Sequence, residues 1–138
     1  MKRAFTGLAA LLLLAVIAQF YLAAGGAFDT APVQESFQPH RTLGYVILVF
    51  AFVLTIAAAI ARMPRRLIGL AGLVTGLVIG QSVIREVARS FGDGSSAGPL
   101  VFGVHAINGL VIVGVIGMIV RQARKAAWKP AAPVRTAS

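Results

Sequence analysis

The chain has 138 residues, 58% of them hydrophobic and 12% charged, with a mean hydropathy of +0.86. A soluble domain of this length has no core large enough to hide so much apolar surface, which excludes the soluble globular classes. There is no cysteine, which excludes disulfides, thiolate metal sites and covalently attached c-type haem, and the formal net charge is +9.

Four uncharged stretches, 4–24, 42–61, 67–84 and 99–120, have about the 17–25 residues that cross a bilayer. Backbone groups in lipid must be satisfied within the segment, so each stretch predicts a helix. The first helix is expected over 4–24, behind Lys2 and Arg3. A basic start, a Leu/Ala run and "LAAGGA" also occur in secretory signal peptides. The length of the run, with Gln19 and Tyr21 where a cleavage region would fall, favours a retained helix over a cleaved signal. Residues 25–38, "GGAFDTAPVQESFQ", read as a loop.

Pro39 suits the first turn of the second helix, expected over 39–61, where a missing N–H leaves nothing unpaired. The short "RMPRR" makes an antiparallel hairpin with the third helix, expected over 67–88. Gly72, Gly76 and Gly80 line one face of that helix. Small residues at this spacing allow close packing, here within the bundle first and in a homodimer as the lesser reading. A flexible "FGDGSSAGP" leads to the fourth helix, expected over 99–121. The expected architecture is an all-α, up-down-up-down transmembrane domain over 1–125, built from two related hairpins. A basic, Ala/Pro-rich tail over 126–138 is expected to be disordered, with Trp128 at the membrane interface.

The charge is distributed by topology. Lys2, Arg3, Arg62, Arg65, Arg66, Arg121, Arg124, Lys125, Lys129 and Arg135 fall at the N-terminus, in the 2–3 connection or after helix 4. Arg41, Arg85 and Arg89, with Asp29, Glu35, Glu86 and Asp93, fall in the other connections. This is the positive-inside bias, so both termini are expected in the cytoplasm. The basic groups orient the chain and touch anionic lipid; they form no nucleic-acid patch.

A repeat is carried by the polar residues. The second helix begins "HRTLG" and the fourth contains "HAING", both His-x-x-x-Gly, and the helix before each holds one glutamine. Gln19, His40, Gln81, His105 and Asn108 are thus expected in one outer layer facing inward. Ionisable groups within a span are costly and mark functional sites. Two histidines on facing helices can hold the iron of b-type haem from both sides. Gly44 and Gly109, one turn below, would leave room for a flat macrocycle, and Arg41, Arg85 or Arg89 could pair with propionates. Zinc is less suited, with Glu35 the one candidate third ligand. The competing reading is structural: His, Asn and Gln hydrogen-bond across helices in membrane bundles. No Ser–His–acid set, phosphate loop or buried acid points to hydrolysis, phosphoryl transfer or proton-coupled transport.

"QFYLA", "FQPHRTLGYVI", the "GQ" of the third helix and "VHAINGLVI" resemble the DUF6220 group of small four-helix bacterial membrane proteins, over about Phe5 to Lys125. The resemblance implies a bacterial inner-membrane location and carries no activity. A weaker similarity is to one half of haem A synthase, through His40-Arg41 and His105. That family has an acid close before its first histidine, whereas Glu35 lies five residues before His40 with Pro39 between them. The similarity therefore implies haem binding and not the catalysis.

Overall fold

The computed structural model describes residues 1–92 and 95–128. Its elements are α1 (Lys2–Phe28), α2 (Val33–Ser36), α3 (Gln38–Ile60), α4 (Arg65–Ser90) and α5 (Ala97–Ala127). α2 is a single turn; the other four helices are long and apolar enough to cross a membrane. Around the bundle the order is α1, α3, α4, α5, so α3 faces α5 and α1 faces α4 across the diagonals. Outward side chains such as Leu14, Val49, Ile60 and Leu110 are more than 60% exposed. A surface so apolar requires lipid around it. The chain is a four-helix membrane protein.

One stripe per helix forms the core. α1 buries Phe5, Ala9, Leu12 and Val16; α3 buries Ile47, Ala51, Leu54 and Ala58; α4 buries Leu67, Ala71, Val74 and Val78. Each series steps by four, three and four residues, the spacing that keeps one seam facing its neighbours. α5 follows with Ile112, Ile116, Ile119 and Ala123, joined by Val115. The alternation of Ala with Leu, Ile or Val lets large side chains enter the gaps left by small ones. Midway along the bundle Thr55 and Thr75 meet, Oγ1 to Oγ1 at 3.1 Å, while each also reaches the carbonyl four residues before it.

α3 lies within one residue of its expected bounds, while α1, α4 and α5 outrun theirs because an α-helix need not stop where the charges begin. α4 carries Arg65 and Arg66 at one end and Arg85, Glu86 and Arg89 at the other. α5 has 31 residues, about 46 Å at 1.5 Å per residue, longer than the roughly 30 Å of a hydrocarbon core. It carries Arg121, Arg124 and Lys125 and runs on to Ala127, so the first two residues of the tail expected from 126 are helical; 129–138 lie outside the described residues. The stretch expected as a loop over 25–38 instead holds the last turn of α1 and all of α2. A Cβ on Gly26 would come 2.8 Å from the Ser36 carbonyl oxygen. Glycine there lets α2 close against the end of α1.

α3 ends in a left-handed turn. Arg62 has φ +48°; its N–H donates to Ala59 O and that of Met63 to Ala58 O. These two bonds with a buried Met63 (4% exposed) make a Schellman closure with arginine where glycine is usual. Of the α4 glycines, Gly72 approaches Thr55 and Gly80 approaches Asn108, both within the bundle, while Gly76 has open space around it.

Candidate functional site

The polar layer continues the core stripe. Gln19 lies three residues after Val16 on α1, and Gln81 three after Val78 on α4. On α3, Gly44 and His40 precede Ile47 by three and seven residues; on α5, Gly109 and His105 precede Ile112 by the same steps. The stripe that faces the centre of the bundle therefore turns from apolar to Gln, Gly and His at one end. Their side chains face inward for the same reason that the core residues do.

Both halves then make the same contacts. His40 Nδ1 donates to the Gln19 carbonyl oxygen at 3.1 Å, and His105 Nδ1 to the Gln81 carbonyl oxygen at 3.3 Å. With Nδ1 carrying the proton, Nε2 is left as the ring's lone-pair nitrogen. One turn below, the same two glutamines fill the glycine notches. The Gln19 amide nitrogen lies 3.1 Å from where a Gly44 Cβ would be, and that of Gln81 3.5 Å from a Gly109 Cβ. The ring of Phe20 also enters the Gly109 notch, at 3.1 Å. The space expected to receive a macrocycle thus holds two amides and a phenyl ring. Gln19 Oε1 and Gln81 Oε1 are both buried and have no hydrogen-bond partner among the described residues.

The imidazoles meet across the α3–α5 diagonal, ring centroids 6.3 Å apart and planes at 52°. Each is flanked by a phenylalanine three residues earlier. Phe37 stands edge-on to His40 at 6.2 Å and 86°; Phe102 stacks on His105 at 5.1 Å and 6°. The repeat is therefore Phe-x-x-His-x-x-x-Gly, and the phenylalanines are site residues that the shorter motif did not include. The signal was in the sequence: Phe37 and Phe102 hold the same place before their histidines. Asn108 belongs to one half only; its Nδ2 donates to Leu77 O at 2.9 Å, tying α5 to α4. The corresponding place in the first half is Leu43.

The arginines stand at the rim with partners of their own. Arg41 donates to the Gln34 carbonyl. Arg85 pairs with Glu86 at 2.7 Å, and Arg89 approaches the same carboxylate at 3.9 Å. Glu35 is exposed on α2, and no group of three or more His, Asp or Glu gathers among the described residues. As arranged, the layer offers two lone-pair nitrogens and two amide oxygens, all acceptors, at the centre of a bundle.

The family model described as "Family of unknown function (DUF6220)" matches residues 19–88. That match spans Gln19, His40, Gly44 and Gln81, and stops short of α5 with His105 and Gly109. No curated protein, haem A synthase included, and no solved structure matches the chain.

Proposed function

The chain belongs to the DUF6220 family of unknown function, and within that premise we propose that its histidine layer is a two-imidazole site for b-type haem. The observation that carries this reading is the ring pair. Two imidazoles that meet across the inside of a helix bundle could hold the iron of haem between them. The centroids here are 6.3 Å apart. Nδ1 on a backbone carbonyl is also how ligating histidines are held in orientation with Nε2 basic.

His40 and His105 would hold the iron. A macrocycle would need the Gln19 and Gln81 amides and the Phe20 ring to turn out of the notches they fill. Neither amide oxygen has a protein partner, so moving it breaks no hydrogen bond there. Propionates would compete with Glu86 for Arg85 and with the Gln34 carbonyl for Arg41. Haem between two imidazoles supplies one-electron transfer. The proposed setting is a bacterial inner membrane with the arginine- and lysine-rich end in the cytoplasm.

A second reading has its own observation. The amides seated in the glycine notches, the two His–carbonyl bonds and the Asn108–Leu77 bond all run between helices. Such contacts contribute about 0.6–2 kcal/mol each in membrane bundles. On this reading the layer fixes helix register and binds nothing.

An absorbance spectrum of protein expressed with ample haem and purified in mild detergent separates the two. Haem binding gives a Soret band that sharpens on reduction with split visible bands, and His105→Ala removes it while the protein still inserts. A colourless wild type, with His105→Ala merely less stable, assigns the layer to packing.

A further inference from the structure

The end of the bundle opposite the histidines carries an arrangement that the histidine layer does not use. Lys2, Arg3, Arg62, Arg65, Arg66, Arg121, Arg124 and Lys125 all lie there and all are exposed. Among the described residues none of the eight has an acidic partner, because Asp29, Glu35 and Glu86 are at the other end. Within this field one place is shaped. An open groove there is lined by Arg124, Lys125 and Trp128. Arg3 reaches over from the start of α1, its guanidinium carbon 5.5 Å from the centre of the Trp128 ring.

We propose that this groove seats the phosphate headgroup of an anionic phospholipid, whose acyl chains lie along the apolar outer faces of α1 and α5. Depth supports it. Arg124 and Lys125 follow the apolar run of α5 by one turn, the level at which headgroup phosphates sit, and tryptophan prefers that level. Chemistry supports it as well. A guanidinium held over an indole by cation–π attraction still has N–H groups to offer a phosphate. Arg124 and Lys125 from the groove and Arg3 from above the indole would then share one anion. Basic pockets between helix ends recognise lipid headgroups in this way. The neutral phosphocholine headgroup, whose own cation would meet the three basic side chains, suits the groove poorly.

Trp128 is the chain's one tryptophan, so its fluorescence reports on the groove alone. The test titrates detergent-purified protein with phosphatidylglycerol carrying brominated acyl chains, and in parallel with brominated phosphatidylcholine. Quenching is expected to half-saturate at a mole fraction at least tenfold lower for phosphatidylglycerol. A basic residue near an anionic surface contributes about fivefold in affinity, so Arg3→Gln/Arg124→Gln/Lys125→Gln should weaken the phosphatidylglycerol response roughly 100-fold. Arg65→Gln/Arg66→Gln, exposed at the same end on α4 and outside the groove, should weaken it by less than the roughly 25-fold that two basic residues in the groove would contribute. Equal quenching of the wild type by both lipids overturns the proposal and needs no variant. Equal weakening by the two sets of substitutions would reduce the effect to diffuse charge. Displacement of the quench by millimolar inorganic phosphate would make it a small-anion site and not a lipid site.

Discussion

Gly25 and Gly26 are neighbours in the last turn of α1, and the structure assigns their alanine variants opposite signs. Around Gly25 nothing lies within 4 Å of an added Cβ. Gly25→Ala therefore gains helix propensity, up to about 1 kcal/mol in a helix interior and roughly half that in a terminal turn. A Cβ on Gly26 would lie 2.8 Å from the Ser36 carbonyl oxygen and 3.2 Å from Cγ and Cδ1 of Phe37. The first contact is with backbone, which cannot rotate aside. Forcing a methyl into a packed site costs about 1–3 kcal/mol, so after the same propensity gain Gly26→Ala should lose about 1–2 kcal/mol. Thermal unfolding of both variants in one detergent, followed by circular dichroism, should show them on either side of the wild type. The contact also bears on the site, because Phe37 stands edge-on to His40. Gly26→Ala should thus shift any visible spectrum of the histidine layer, while Gly25→Ala leaves it unchanged. Both variants moving the same way would refute the packing of α2 against α1.

Thr55 and Thr75 share three possible hydrogen bonds but have two hydroxyl protons, so a double-mutant cycle with valine should give a coupling near 0.6 kcal/mol and below about 1.7; a coupling of zero would mean both hydroxyls serve their own helices. Arg62→Gly should raise stability by about 1 kcal/mol by removing a side chain from a left-handed position, and lower stability in the same unfolding assay would count against the closure. Protease added to inside-out vesicles should reach both ends of the chain, and protease added to intact cells neither; cleavage of one end from outside would contradict the proposed orientation.

The four spans were legible because lipid admits so few backbone solutions: an uncharged run of that length has to be helical. Their ends were not, since charge marks where the membrane stops and not where the helix does; α4 carries five charged residues within its bounds. The helical course of Gly25 and Gly26 was hidden as well. Glycine signals a turn by composition, and only the approach of Ser36 shows why one stands inside a helix. The histidines and glutamines were found by their rarity in apolar segments. Their inward direction was available more simply. Counting back three and seven residues from Ile47 reaches Gly44 and His40, and from Ile112 reaches Gly109 and His105. What no spacing could give was the content of the notches. Glycine below a histidine fits a macrocycle and a glutamine amide equally well until the neighbouring helix is in place.

The glutamines also bear on what the layer is for. A layer that only fixed register would need the two His–carbonyl bonds and Asn108, all of which are made. Gln19 and Gln81 add two buried carbonyl oxygens without a partner, and an unsatisfied buried acceptor costs about 1–3 kcal/mol. Leucine at both positions would continue the apolar stripe of α1 and α4. If nothing satisfies the two amide oxygens in haem-free protein, Gln19→Leu/Gln81→Leu should stabilise the bundle by about 2 kcal/mol or more, because two penalties disappear and the backbone carbonyls that hold the histidines remain. If instead the amide oxygens are satisfied in the bilayer by water or by a bound group, the double variant loses those bonds and should be less stable. The expected result for haem-free protein is stabilisation, read by thermal unfolding in detergent. A less stable variant would show that the acceptors have a partner outside the protein, and that the layer is polar for the sake of what it binds.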